Sequence, residues 1–376
     1  MRIGIDAHIL GKNKGGVERY LRQLILLLPQ VAPRYDYVFF VNRRYPIPAN
    51  CPANVTYVTL PFSDPLIERS VILPWLALKH RLDVLHVQRV APPLVNCALV
   101  VSLHDILPLT NPRDYRGWRN ALVRFLTPQS ARRADYILTV SGTTKNEIVK
   151  ILHVPAAKVA FAYNGIDHEF FRPQLEKEPS AGRFAFLSDP YVLYLGALET
   201  RKNLEIVLPA FAGFLASING TARLIIAGGE RTSGYGQQLK KLVREKQLSD
   251  NVIFTGFVSD IECLELLRNA RLFLAPSRGE GFDIPPLEAM SCGVPVICSD
   301  IEVHRELFAG AAEFFPAAEP DILAQLMAGL WKNQPRRESM IQKGLLRAQK
   351  FTWENMACQT AAVYQEIEKM IRKGCR

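Results

Sequence analysis

The chain has 376 residues, enough for two domains with their own cores, and its apolar share of 48% and charged share of 22% exclude a disordered or fibrous chain. Its net charge of +10 is unevenly placed: residues 1–172 hold 22 Lys and Arg against 12 Asp and Glu, whereas residues 173–376 hold 24 of each. No apolar run reaches the roughly 18 residues of a membrane span, and seven scattered cysteines with no close C-x-x-C pair suggest neither a disulfide framework nor a zinc site.

Met1-Arg2 leads at once into Ile3-Gly4-Ile5-Asp6, which reads as a first strand and not as a secretory leader. Reduced thiols and a cytoplasmic location are therefore expected. The basic first half should meet an anionic partner. Nucleic acid and an anionic membrane leaflet are both candidates. No helix-turn-helix, zinc-finger or RNP motif accompanies the charge, so the membrane surface or an anionic lipid-linked acceptor is favoured over nucleic acid.

In chain order, residues 1–10 form a strand, Gly11 to Gly16 a glycine loop, and a helix starts near Val17 and runs through Tyr20, Leu21, Leu24 and Leu28. Strand, glycine loop, helix opens a doubly wound α/β domain, although a lone glycine loop is a weak signal. Short apolar runs at 37–41, 55–60 and 84–87 read as buried strands, with a helix over 66–82. A further strand over 98–103 ends in His104-Asp105, where α/β sheets keep their ligands. A histidine packed on its own loop explains that pair equally well.

Residues 111–135 carry Arg113, Arg116, Arg119, Arg124, Arg132 and Arg133 among Tyr115, Trp118, Leu122, Val123, Phe125 and Leu126. Basic residues mixed with aromatics suit an interfacial helix. A solvated helix face is the competing reading. A strand over 136–140 follows, with Ser141-Gly142-Thr143 capping the next helix. Tyr163 to Asp167 closes the first domain, and 173–188 reads as a polar linker.

The strand–helix rhythm then restarts. A strand over 191–195 is followed by a loop from Gly196 to Asn203 carrying Arg201 and Lys202, cations suited to a diphosphate. Strands over 222–227, 251–255 and 272–275 follow; the second leads into Phe257-Val258. Residues 278–300, RGEGFDIPPLEAMSCGVPVICSD, read as loop, helix, turn and strand. Pro285 and Pro286 suit the first helical turn, and Gly293 suits its end. Glu280 lies in the glycine loop and Glu288 near the helix start. A helix N-terminus attracts a diphosphate. Two acids there would repel phosphate, so they more naturally grip ribose or hexose hydroxyls. Together these features describe a sugar nucleotide. For either Glu alone, the ordinary preference of acids for helix N-termini is sufficient; the whole string carries the functional reading.

That string resembles the donor-binding signature of the retaining family-four glycosyltransferases of the GT-B fold, EGFG-x-P-x-x-E-A-M-x-x-G-x-P-V. Asp283 stands where Gly is usual, and Asp adopts positive φ less readily. Gly15-Gly16 resembles the family's GG-V/I loop, His104-Asp105 its HD pair, and Asn164 to Asp167 its N-G-I/V-D hinge. The Gly196 to Asn203 loop resembles G-R-x-x-x-x-K-[GN], with Lys202 at the Lys position, Ala197 in place of the usual Arg, and Arg201 as a substitute for it. Phe351-Thr352-Trp353 resembles the F-S/T-W before a final helix that crosses back onto the first domain.

The resemblance implies an α/β fold of two Rossmann-like domains facing each other across a cleft. Residues 1–172, joined by the C-terminal helix 354–376, would bind the acceptor, and 189–353 the sugar nucleotide. It implies catalytic roles for His104, Lys202 and Glu280, and donor contacts from Gly15, Gly16, Arg201, Lys202, Phe257, Val258, Glu280, Gly281, Phe282 and Glu288. Glu280 would hold the sugar, Glu288 the ribose, and Phe257–Val258 the nucleobase. Lys202, Arg201 and backbone N–H groups would stabilise charge on the leaving diphosphate, so no metal or other cofactor is expected. Retention of configuration without a covalent nucleophile is implied.

The opening MRIGIDA and the LGALETRKN loop look most like mannosyl- or rhamnosyltransferases of bacterial polysaccharide assembly. GDP-mannose is the expected donor, with UDP-glucose or another UDP-sugar next. The acceptor would be a glycan or polyprenyl-linked glycan, reached at the inner face of the cell membrane through peripheral contact with anionic lipid. Two other classes remain: a sugar-nucleotide 2-epimerase on the same scaffold, which needs further acid/base residues, and a non-catalytic sugar-nucleotide sensor, against which Glu280, Glu288, Lys202 and His104 argue.

Overall fold

The computed structural model describes residues 1–12, 15–61, 71–115, 117–174, 182–184, 189–218 and 221–373. The chain divides into two compact units. One comprises Met1–Gly165 with Thr352–Arg376, the other Ile166–Phe351, against sequence expectations of 172 and 354 for the edges of the first.

Among the described residues the first unit holds a seven-stranded sheet in the order β3-β2-β1-β4-β5-β6-β7, every pair parallel. The strands are β1 (Arg2–Ala7), β2 (Asp36–Val41), β3 (Val55–Thr59), β4 (Val84–Gln88), β5 (Ala98–Ser102), β6 (Tyr136–Thr139) and β7 (Val159–Phe161). β4 and β5 are buried along their whole length, as parallel strands covered on both faces must be. Val38, Leu85, Val87, Leu99 and Val101 build the core there. The order runs one way from β1 to β3 and the other way from β4 to β7. That reversal puts a crevice beyond the carboxyl ends of β1 and β4.

The chain returns to this unit through the helix Trp353–Arg372. Met356, Thr360, Tyr364 and Ile367 are its buried stripe, spaced three or four apart on one face. Its N-terminus passes so close to Gly165 that a Cβ there would lie 2.1 Å from the Trp353 nitrogen, so only glycine fits. The Tyr35 hydroxyl donates to Glu368 Oε2 at 2.8 Å and ties the far end of the helix down.

The second unit holds, among the described residues, a six-stranded parallel sheet in the order β10-β9-β8-β11-β12-β13. Its strands are β8 (Tyr191–Leu195), β9 (Arg223–Ala227), β10 (Val252–Gly256), β11 (Leu272–Ala275), β12 (Val296–Ser299) and β13 (Ala312–Phe315). Its core is Val192, Phe211, Phe214, Leu224, Leu272 and Met327 with their neighbours. The order reverses between β8 and β11, so the loops after these two strands flank this unit's crevice.

Most expected elements appear within a residue or two. Of the expected helix over 66–82, the described part is Leu73–Lys79, and 66–70 lie outside the described residues. β7 is a three-residue strand without an expectation behind it. The arginine-rich stretch forms the helix Trp118–Arg133, and Arg116 lies outside the described residues.

Candidate functional site

The loop after β8 tightens into a 3-10 turn, Thr200–Lys202, and passes through Asn203 in the left-handed region at φ 58. Asn203 Nδ2 donates to the carbonyls of Pro276 (3.1 Å) and Ala317 (2.9 Å). The Arg278 N–H donates to the Arg201 carbonyl at 2.8 Å. The loops after β8 and β11 are thus joined through their backbones before any charged group is considered.

Upon that frame sits a chain of ion pairs. Lys202 Nζ lies 2.7 Å from Glu280 Oε1 and 3.0 Å from Asp283 Oδ1. Arg201 Nη1 lies 2.6 Å from the same Glu280 oxygen, and Arg201 Nε lies 2.7 Å from Glu199 Oε2. Asp283 Oδ2 faces His304 Nε2 at 3.3 Å, and His304 is wholly buried. Burial alone would raise the Asp283 carboxyl, but the Lys202 ammonium and His304 outweigh it and hold it well below the usual carboxylate range. Burial likewise works against charge on Lys202, and Asp283 and Glu280 overcome it and raise its pKa.

Asp283 precedes the helix Ile284–Ser291 at φ 118, ψ 89, a conformation that costs a non-glycine residue about 1–3 kcal/mol. Pro285 and Pro286 fill the first turn, and Gly293 ends the motif at φ 77. Glu288 is buried in this helix. Burial, then its carboxylate, pushes the Cys292 thiol up to about 12. Gly281 and Phe282 are buried, the latter with its ring edge-on to Phe351 at 5.9 Å. At the end of β10, Phe257 is 69% exposed while Val258 is buried. An exposed aromatic ring offers a flat face on which a planar group can stack.

The structure therefore brings Arg201, Lys202 and Glu280 together, and adds Glu199, Asp283 and His304 to them. Sequence reasoning passed over Glu199 and His304. Asp283 was visible there only as a departure from a motif. The one available signal was its charge at a position usually held by glycine.

In the first unit, Gly15 at φ 66 opens the helix Gly16–Val31, and the Gly11 N–H donates to Glu18 Oε1 at 2.8 Å across the loop. His104 follows β5, with its ring edge-on to Tyr20 at 4.6 Å and Nε2 3.2 Å from Gln88 Oε1. Burial, opposed by Asp105 and aided by Arg89, lowers its pKa to about 4, so His104 is neutral at pH 7. Beneath it, His86 bonds Tyr364 Oη through Nδ1 and Ser102 Oγ through Nε2, each at 2.7 Å.

The helix Trp118–Arg133 exposes Trp118, Phe125 and Arg132, which are seven residues apart and share a face. Arg119 lies over the Trp118 ring at 5.4 Å, and Arg124 Nη1 donates to the Tyr115 carbonyl at 2.9 Å. Among the described residues no helix is long and apolar enough to cross a membrane.

Two family models match adjacent stretches of the chain: Glycosyltransferase Family 4 over residues 14–170, and Glycosyl transferases group 1 over 178–347. The chain is 29% identical over 269 residues to O-antigen chain mannosyltransferase B of Escherichia coli, covering 71% of this chain and 70% of that protein. It is 33% identical over 212 residues to O-antigen chain mannosyltransferase RfbU of Salmonella typhimurium, where the match spans 56% of this chain and only 55% of the relative. The sucrose-phosphate synthase of Thermosynechococcus elongatus shares the fold, with a TM-score of 0.77 at 18% identity, covering 98% of this chain and 99% of that one.

Proposed function

Because the chain belongs to the two-domain glycosyltransferases described by the Family 4 and group 1 models, we propose that it transfers mannose from a nucleotide sugar, GDP-mannose, to a glycan or lipid-linked glycan in polysaccharide assembly. The observation that carries the reading is the Arg201–Lys202–Glu280 cluster at the reversal of the second sheet. It offers cations for a diphosphate and a carboxylate for sugar hydroxyls within one contact distance. An arriving donor exchanges these partners: its phosphates take up the cations, and its sugar hydroxyls take up Glu280.

In the reaction the bond from the anomeric carbon to the diphosphate oxygen breaks. A bond to the acceptor oxygen forms on the same face, and the acceptor's proton passes to the departing diphosphate. Negative charge builds on that leaving group, and Lys202 and Arg201 are its stabilisers. These two cations supply the charge that a divalent metal would otherwise bring, so the reading is metal-independent. Glu288 is assigned to the ribose and Phe257 with Val258 to the base. Gly281 and Phe282 are assigned to the diphosphate through their backbone. Within the first unit, Gly15, Gly16 and His104 are the proposed site residues, and that unit is assigned the acceptor.

Peripheral contact with anionic lipid is part of the proposal. It is supported by the exposed Trp118, Phe125 and Arg132 and by the excess of positive charge before residue 173. The decisive experiment is a panel of nucleotide sugars in thermal unfolding, followed by product analysis. GDP-mannose is expected to raise the melting temperature and to be consumed with the anomeric configuration kept. Stabilisation and consumption of UDP-glucose alone would sink the mannose assignment; an inverted product would sink retention.

A further inference from the structure

Resting on the nucleotide-sugar reading, we infer that Asp283 is a positioning residue, a carboxylate that aims the Lys202 ammonium at the diphosphate. Three observations carry this. The backbone at 283 has φ 118, where glycine is free of strain and aspartate is not. Asp283 stands at the N-cap of the helix Ile284–Ser291, the usual place for an aspartate to cap, yet its side chain makes no capping bond there. Instead both carboxylate oxygens are turned inward, Oδ1 to Lys202 at 3.0 Å and Oδ2 to His304 at 3.3 Å. The chain tolerates an unfavourable backbone at this position and takes from it neither a cap nor an exposed charge.

His304 backs that carboxylate. Its Nδ1 lies 2.9 Å from the Ser299 carbonyl, and the Ser299 hydroxyl, with one proton to give, lies within reach of the carbonyls of Ser277 and Ala275. Asp283 thereby faces a histidine that is itself held at the carboxyl ends of β11 and β12. An ammonium has three donors. Glu280 and Asp283 define two of its directions, so the third is set. When the donor sugar draws Glu280 away, Asp283 remains to keep Lys202 from rotating with it.

The removal of Asp283 has a sign that ordinary damage to the site does not. D283G relieves the backbone and deletes a negative charge beside Lys202, so affinity for free GDP should hold or rise. Turnover should fall about tenfold to a hundredfold, because an unaimed ammonium must be ordered in every transition state. D283N keeps an acceptor oxygen toward Lys202 and should recover part of the rate. If Asp283 acts through Lys202, D283G should add nothing to K202A in the double variant.

The test measures GDP and UDP affinity by calorimetry, melting temperature and single-turnover rate for the wild type and these variants. A wild type that binds neither nucleotide overturns the nucleotide-sugar reading, and this inference with it. A wild type that binds and reacts, beside a D283G of equal rate, overturns the inference alone. So does a D283G that loses rate, affinity and melting temperature together, or a double variant whose losses are additive.

Discussion

Lys202 Nζ and Glu280 Oε1 lie 2.7 Å apart, although one follows β8 and the other β11. The two strands are neighbours in the sheet only because its order reverses between them. The contact is therefore a product of topology, and the crevice exists where the two loops part.

Lys202→Ala should lower turnover about a hundredfold or more, the usual effect of removing one group that meets charge developing in the transition state. Binding of the intact donor should change less, since the charge on the leaving group is largest during reaction. Steady-state kinetics with GDP-mannose reads both quantities. Wild-type turnover with only a raised Michaelis constant would contradict the role given to Lys202. Unchanged rates in EDTA are expected in the same assay.

Glu288→Ala should weaken binding of the free nucleoside diphosphate, because the residue is assigned to ribose hydroxyls and not to the sugar. Loss of a charge-assisted hydrogen bond is worth about 1.5–3 kcal/mol. Calorimetry with GDP is the measurement, and an unchanged dissociation constant removes Glu288 from the ribose.

The first unit should lose stability as pH falls from about 6.5. Burial lowers His86 to about 3 and His104 to about 4, whereas an unfolded histidine titrates near 6.5. The folded pKa values are depressed, so the unfolded chain binds more protons below about pH 6.5. The contribution is complete above that pH and is lost progressively toward pH 4. Melting temperatures from pH 7.5 to 4.5 should show the decline, and His104→Gln should flatten part of it. A flat wild-type profile over this window would contradict the argument.

The protein should sediment with anionic vesicles at low salt, should not do so with neutral ones, and should be released by high salt. Each basic residue near such a surface adds about 1 kcal/mol. Replacing Trp118 and Phe125 with Ala and Arg132 with Glu should abolish sedimentation while donor binding stays intact. A wild type that ignores anionic vesicles would leave the helix Trp118–Arg133 as a solvated face.

Much of the fold was legible because parallel strands buried on both faces read as unbroken apolar runs. β4, β5 and β8 show this directly. β7 escaped because three residues at the sheet edge, Val159–Phe161, carry too little pattern to stand out. Glu280 and Lys202 were found through motifs, since nothing in periodicity pairs residues so distant in sequence. His304 could not be found that way. It lies in a helix after β12, and its meaning depends on Asp283 pointing inward instead of capping its helix.

The helix Trp353–Arg372 has a consequence for how the molecule is made. It is synthesised after the whole of Ile166–Phe351, yet it packs beside Gly165 and supplies Tyr364 to His86. On the ribosome the second unit is a continuous segment with all its strands in hand, while the first still lacks one of its covering helices. The order of completion therefore runs against the order of translation. The earlier-made sheet waits with part of its apolar surface open until the last turns emerge, a span in which it is exposed to chaperones and to mispairing.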